Sequence, residues 1–228
     1  MRKLLAIALC LLCLSPAVAA SEIKYAALIV TGGPNGTATQ KLLDGLGARE
    51  AKATFFLRGE NLVQFPDIAQ RMASEGHELG LEGYKAGSLE GFSRRKIAKA
   101  FGDTRALLPK GSHARFLFPP EGMRSDAVRQ VAEVTGLAIV DCKLDIRSWA
   151  ARENTTHFIP VVELVEDGDV VLLSDATTAA VNTSLAMVER LEQEGFRFVT
   201  LSELARRRNI IIHPGRTYTS FPPERKEV

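Results

Sequence analysis

Short apolar runs alternate with amphipathic stretches along most of the chain, and this alternation is the feature that most constrains the fold. The runs have the length and composition of buried strands, and seven are predicted: Tyr25–Val30, Ala53–Leu57, Glu78–Leu81, Arg115–Phe118, Leu137–Cys142, Asp169–Leu173 and Arg197–Thr200. Strands that are each followed by a helix pair in parallel. The sequence therefore predicts an α/β protein with either a parallel barrel or an open sheet.

Helix-like segments separate the predicted strands, and several of them have residues that mark a helix end. Ser125 can cap the fourth helix at its start, and Gly76, Gly136 and Gly195 can close the second, fourth and sixth helices. If the sheet closes into a barrel, the loops at the carboxyl ends of its strands hold the working site. The predicted helices are Ala38–Ala48, Phe65–Glu75, Ser93–Leu108, Ser125–Thr135, Thr156–Val165 and Asn182–Glu194.

The first 20 residues predict a secretory signal peptide. They start with Arg2-Lys3, continue in the apolar run Leu4–Leu14 and finish in small residues that allow cleavage after Ala19 or Ala20. The run is shorter than the about 20 residues that span a bilayer, and a retained anchor is the alternative. The mature protein is therefore expected to be periplasmic or secreted and to have no membrane span.

The rest of the chain predicts one domain with a neutral charge balance. Residues 21–208 are enough for a single core, and the proline-containing segment 209–228 is either a packing extension or a frayed end. Removing Arg2 and Lys3 from the 29 basic residues leaves 27, which equals the 27 acidic residues. This balance does not favour nucleic acid or an anionic membrane as a partner. A glycan or an envelope protein fits better.

Four short motifs follow one another with regular gaps, and Gly33-Pro34 precedes them. The motifs are Lys52–Leu57, Glu75–Gly80, Pro119-Pro120 with Gly122, and Gly195–Leu204. In this order they resemble the polysaccharide deacetylase family, also called the NodB homology domain, over most of the mature chain. The resemblance implies a distorted parallel (β/α) barrel of about seven strands, in agreement with the strand count. It also implies hydrolysis of acetyl groups on sugars with one divalent metal, such as zinc, held by an aspartate and two histidines.

Residues of other chemistry occupy the catalytic positions that this resemblance implies. The family has an aspartate as the general base, an arginine that orients it, a further aspartate, and a histidine as the general acid. The corresponding residues in this chain are Thr31, Phe118, Ser148 and Ser174. The first two changes agree with each other, because a buried arginine opposite Thr31 would be an unpaired charge. We therefore predict that this set contains no catalytic residue.

The metal positions implied by the resemblance lead to the same expectation. The three family ligands correspond to Gly32, Glu82 and Ala86, and one carboxylate alone makes a poor metal site. His77 matches a family position that usually packs in the core. The four histidines lie on separate segments without metal-binding spacing: His77, His113, His157 and His213. We therefore expect no metal cofactor.

These residues together predict a catalytically inactive homologue that binds a glycan in the old active-site groove. Aromatic rings can stack on sugars, and carboxylates can accept hydrogen bonds from them. The candidate groove residues are Phe118, Glu121, Asp145, Trp149, Asp175 and Tyr84. In the alternative, Phe118 and Trp149 only fill the space left by the arginine and the metal, and Asp175 binds backbone at a strand end.

Two other functions are compatible with the same sequence. One is an active carbohydrate deacetylase with relocated residues, in which Glu82, Glu121 and Asp175 surround a cation. The other is a protein-interaction module that regulates envelope polysaccharide processing.

Overall fold

The computed structural model describes residues 23–87, 89–119, 125–145 and 162–223. These residues form one sheet whose strands are β1 Lys24–Gly33, β2 Ala53–Arg58, β3 Glu78–Gly83, β4 Phe116–Leu117, β5 Ala138–Val140, β6 Leu144–Asp145, β7 Val170–Leu173, β8 Phe196–Val199 and β9 Thr217–Tyr218. The helices are α1 Thr37–Gly47, α2 Gly59–Gln64, α3 Pro66–Ser74, α4 Arg94–Ala106, α5 Asp126–Val134, α6 Thr178–Gln193 and α7 Leu201–Arg207.

The strands pair in the order β6-β7-β1-β2-β3-β4-β5-β9, and β8 adds to β1. All pairs of the described strands are parallel, and the sheet forms a half-barrel with helices packed against it. One edge of β1 is shared by two partners, because residues 24–27 pair with β8 and residues 28–33 pair with β2, while residues 27–30 pair with β7 at the other edge. The predicted parallel α/β barrel is confirmed, and this change of partner along β1 is part of its distortion.

The seven predicted strands correspond to β1–β5, β7 and β8, while β6, β9, the six-residue helix α2 and the seven-residue helix α7 lie outside the predicted elements. Segments this short do not display a periodic pattern, and for that reason the sequence does not reveal them. Ser125 caps α5 as predicted, because its Oγ accepts a hydrogen bond from the Val128 N–H at 3.3 Å. Most of the predicted helix Thr156–Val165 lies outside the described residues.

Strand β1 divides the core into two layers. Its residues from Ala26 to Val30 are almost completely buried, as expected for a central strand of a parallel sheet. Because side chains alternate along a strand, Leu28 and Val30 pack in one apolar cluster with α1 and α6. Ile29 points to the opposite face, where phenylalanines from β2 and β4 surround it.

The segment after α7 packs on the sheet. Strand β9 pairs with β5, and the ring of Tyr218 stacks on that of Phe221 with a centroid distance of 5.5 Å. Phe221 is fully buried, and its backbone N–H donates to the carbonyl oxygen of Gly168 at 2.6 Å. Of the two interpretations of this segment, residues 209–223 therefore behave as a packing extension. Within the described ranges, no helix combines the length and the apolar character that crossing a bilayer requires.

We predict that Phe221→Ala lowers the free energy of unfolding by about 3–5 kcal/mol, because it removes a large buried ring and leaves a cavity. The matched control is Ile211→Ala in the same segment, where the side chain is 75% exposed and the change is expected to stay within about 0.5 kcal/mol. Urea unfolding of both variants measures the difference. An equally small effect of the two substitutions would show that the segment does not contribute to the core.

Candidate functional site

The carboxyl ends of β1, β2 and β3 bring three residues together that are far apart in sequence. Gly32 lies near the end of β1, Arg58 ends β2, and Glu82 lies near the end of β3. The register pairs Thr31 with Phe56 and Arg58 with Gly83, so neighbouring strands end at the same edge of the sheet. This edge is where a parallel barrel places its working site.

Arg58 and Glu82 form a buried ion pair at this edge. The Arg58 Nη2 lies 2.6 Å from Glu82 Oε1, and the Arg58 Nε donates to the same oxygen at 3.1 Å. The Glu82 side chain is 4% exposed and that of Arg58 is 26% exposed. The second carboxylate oxygen of Glu82 accepts a hydrogen bond from the backbone N–H of Gly32. Both oxygens of Glu82 are therefore engaged by the protein itself.

The backbone around Gly32 directs any side chain at this position toward the ion pair and leaves little space for it. Gly32 has a φ of +83°, a conformation that favours glycine. A Cβ at this residue would lie 3.3 Å from Arg58 Nη2, so a longer side chain would point at the guanidinium. Asn61 fixes the same turn, because its Nδ2 donates to the carbonyl oxygens of Gly32 and Pro34 at 2.9 and 3.1 Å.

Asp175 follows β7 and is completely buried beside the end of β1. It accepts hydrogen bonds from Asn35 Nδ2 at 2.8 Å and from the hydroxyl of Thr39. Burial raises the pKa of Asp175, while these two hydrogen bonds and the positive charge of Arg58 act in the opposite direction. Asp175 therefore ties the segment between β1 and α1 to β7. Besides a hydrogen bond to its own backbone, Asp175 therefore has two side-chain partners that the sequence did not predict.

Two of the predicted groove residues, Phe118 and Asp175, are buried. Phe118 is 4% exposed, and its ring lies 5.6 Å from that of Phe56. Phe116 and Phe118 are two residues apart on an extended segment, so both side chains point into the same core cluster. Phe118 therefore occupies core space, as the alternative interpretation expects, and Asp175 is covered as well, while their role in a groove stays a prediction.

The remaining candidate positions have different environments. Thr31 is half-buried. Ser174 is buried, and two hydrogen bonds of 3.0 Å connect it to Ser184 in α6. The Ser174 N–H donates to Ser184 Oγ, and the Ser184 hydroxyl donates to the Ser174 carbonyl oxygen. Asp145 is exposed at the end of β6, in register with Leu172 of β7. Glu121, Ser148 and Trp149 lie outside the described residues.

A cavity of about 460 Å³ lies beside Ala86, on the segment that follows β3. The half-buried Tyr84 lines it, and the Tyr84 ring packs on Gly59, where a Cβ would lie only 2.3 Å from the ring. Glu60 fixes this segment, because its N–H donates to the Tyr84 carbonyl at 2.9 Å and its carboxylate accepts from the Ala86 N–H at 2.8 Å. The rest of the lining comes from this segment and α4: Lys85, Gly87, Leu89, Phe92, Lys96, Lys99, Ala100 and Asp103.

A divalent metal does not fit the residues at the three expected ligand positions. Gly32 has no side chain, Ala86 has no donor atom, and both oxygens of Glu82 already accept hydrogen bonds. In the described part of the chain, no group of three His, Cys, Asp or Glu side chains is arranged to hold a metal ion.

His77 has a structural role, as predicted. It lies just before β3, at the sheet edge opposite to the Arg58–Glu82 pair, and it is buried. Its Nδ1 accepts a hydrogen bond from the Ala53 N–H at 3.1 Å, and its ring contacts Phe55 edge-on at 5.2 Å. Burial first, and then the positive charges of Lys52 and Arg71, lower the pKa of His77 to about 4.

The sequence interpretation missed Arg58. The only signal in the sequence is a charged residue directly after the apolar run of β2, at a strand end where the working site of a parallel barrel lies. Its partner Glu82 is 24 residues away, and only the strand register shows that the two side chains meet.

Comparison with known proteins gives consistent results. A family model described as polysaccharide deacetylase matches residues 20–140. A peptidoglycan-N-acetylglucosamine deacetylase of Bacillus cereus (strain ATCC 14579) is 32% identical over 189 residues, which cover 80% of this chain and 89% of that protein. The peptidoglycan-N-acetylglucosamine deacetylase PgdA of Listeria monocytogenes is 30% identical over 186 residues, 79% of this chain. The match covers 39% of PgdA, so this chain spans about two fifths of that relative's length.

A solved structure shows the same fold. The family 4 acetyl xylan esterase from Clostridium thermocellum, in complex with a cobalt ion, superposes with a TM-score of 0.79 and 28% sequence identity. The superposition covers 87% of this chain and 100% of the esterase chain.

We predict that His77 makes the folded state sensitive to acid. Its pKa is about 4 in the folded protein and 6.5 in the unfolded chain, so the stability it contributes is present above pH 6.5 and is lost as the pH falls toward 4. Relative to His77→Asn, which cannot be protonated, the unmodified protein should lose about 2 kcal/mol between about pH 7 and about pH 5. Urea unfolding at both pH values measures this, with the exposed His113→Asn as control. Parallel pH profiles of the unmodified protein and His77→Asn would contradict the prediction.

Proposed function

The chain belongs to the polysaccharide deacetylase family, and we propose that it is an exported, catalytically inactive member that binds a glycan of the bacterial envelope. Export is supported by the signal-like first 20 residues and by relatives named as peptidoglycan deacetylases. A neutral charge balance in the mature chain agrees with a glycan partner rather than a polyanion.

The observation that carries the proposed inactivity is the engagement of Glu82. It is the one carboxylate at the three metal positions, and Arg58 and the Gly32 N–H take both of its oxygens. The position of the general base is Thr31, whose hydroxyl does not accept a proton near neutral pH. The position of the general acid is Ser174, whose backbone is held by Ser184.

The magnitude of these losses favours inactivity over reduced activity. General acid–base catalysis contributes about 10²–10⁴-fold per group, and a metal adds several kcal/mol of transition-state stabilisation. The alternative of an active enzyme with relocated acids is weakened by burial, since Glu82 and Asp175 are both inaccessible to a substrate.

The glycan site that the geometry favours is the cavity beside Ala86 rather than the centre of the sheet edge. Tyr84 and Phe92 provide ring surfaces in a cavity whose volume lies within the range of about 300–1,000 Å³ that is usual for ligand sites. The Tyr84 ring packs on Gly59, and two hydrogen bonds with Glu60 hold the backbone of residues 84–86. A fixed aromatic ring loses little conformational entropy when a sugar stacks on it.

We expect no release of acetate from N-acetylated chito-oligosaccharides or from peptidoglycan, even with added zinc or cobalt. Turnover should be at least about 10³-fold below that of the Bacillus cereus relative under the same conditions. Acetate quantification over a time course measures this, and the relative serves as the positive control. Turnover similar to that of the relative, abolished by Glu82→Gln, would overturn the proposed inactivity.

We expect the chain to bind chito-oligosaccharides, and Tyr84→Ala to weaken that binding about tenfold, because the substitution removes the fixed stacking surface. Tyr84→Phe is the matched control, since it keeps the ring and should retain most of the affinity. Titration calorimetry measures both, with urea unfolding to verify that each variant is folded. Absence of glycan binding by the unmodified chain would favour the protein-interaction module, and unchanged binding by Tyr84→Ala would exclude this cavity.

A further inference from the structure

The guanidinium of Arg58 lies between two of the positions at which relatives of this chain are expected to hold a metal. Its Nη2 is 2.6 Å from Glu82 Oε1 and 3.3 Å from the place where a Cβ of residue 32 would stand. The Clostridium relative was solved with a cobalt ion. We infer that Arg58 is the resident cation of this site, so that its guanidinium takes the volume and the positive charge that a divalent metal would otherwise supply.

The chemistry of arginine suits this role. A guanidinium stays protonated at all physiological pH values, and its planar set of N–H donors matches a carboxylate. Here the Nε and Nη2 both donate to Glu82, which leaves that carboxylate compensated although it is almost fully buried. A buried carboxylate without such a partner would be strongly destabilising.

Packing fixes the backbone that follows Arg58. Gly59 directly follows Arg58, and the Tyr84 ring occupies the space where a Cβ of Gly59 would be. The Arg58 charge also acts on Asp175, where it lowers the pKa against the effect of burial. One cation therefore serves the acidic groups from two different strand ends, which is the electrostatic task of a metal at the same place.

If Arg58 takes the place of the metal, it should also prevent a metal from binding. An ordinary salt bridge outside a metal site would not have this effect. A divalent ion beside the guanidinium would meet a like charge at close range and would compete with it for the same oxygens. A variant that carries all three ligand side chains should therefore still fail to bind a metal while Arg58 is present.

The test is zinc titration by calorimetry of a three-substitution variant, Gly32→Asp with Glu82→His and Ala86→His. With Arg58 retained we expect no stoichiometric zinc binding. With Arg58→Ala added we expect about one equivalent, bound at least about 100-fold more tightly. As matched control, Arg71→Ala is added instead of Arg58→Ala; Arg71 also forms close ion pairs, with Asp44 and Glu75 on the outer surface, and its removal should not permit zinc binding.

Two results would overturn the inference. One is stoichiometric zinc binding by the three-substitution variant with Arg58 retained, at an affinity within about threefold of the affinity of the variant that also carries Arg58→Ala. The other is failure of both folded variants to bind zinc, because a cation could then not replace the guanidinium.

If the three-substitution variants do not fold, the single variant Arg58→Ala provides the test. Its melting temperature should fall by several degrees and should recover by about 3 °C or more in about 10 mM methylguanidinium, a cation that can refill the space beside Glu82. Urea at the same concentration is the neutral control. No recovery would overturn the inference. Metal content and melting temperature do not depend on glycan binding or on acetate release, so failure of the proposed function leaves these results interpretable.

Discussion

The structure depends on the pairing of β1, a strand that has three hydrogen-bonded partners and is covered on both faces. Strands β8 and β2 divide one edge between them, and β7 takes the other. Because neither edge nor face of β1 is open, its carboxyl end is a fixed reference for the neighbouring strand ends. The ends of β2, β3 and β7 then place Arg58, Glu82 and Asp175 around the turn that follows Thr31.

The charges at this edge have to be compensated within the protein. Glu82 and Asp175 are buried, and burial makes an unpaired carboxylate costly. Asp175 meets this cost with two side-chain donors and a raised pKa, and Glu82 meets it with the guanidinium of Arg58. In the proposed interpretation, a covalently attached cation allows the scaffold to keep the geometry of a metal site without a metal.

The residues at the centre of the site are buried, so the accessible part of the site lies farther from the strand ends. Phe118 is in the core, and Glu82 and Asp175 are covered, so the centre of the sheet edge offers little surface to a sugar. The cavity beside Ala86 is supported by the segment that Glu60 and Gly59 hold, and it lies next to one of the expected ligand positions. The proposed glycan site is therefore adjacent to the family's active centre, and the ring of Tyr84 would bind the sugar there by stacking.

The sequence alone determined the parallel α/β architecture, since apolar runs of strand length alternate with amphipathic helices, and it determined the structural role of His77 and the cap at Ser125. It also determined which chemical groups are missing, because Thr31, Gly32 and Ser174 cannot supply a carboxylate or an imidazole in any fold. Only the tertiary structure decided that Phe118 faces the core, because the period of two along a strand does not say which face is buried. Strand register likewise decided the pairing of Arg58 with Glu82: these residues are 24 positions apart, and no local pattern encodes a contact that parallel neighbours create across the sheet.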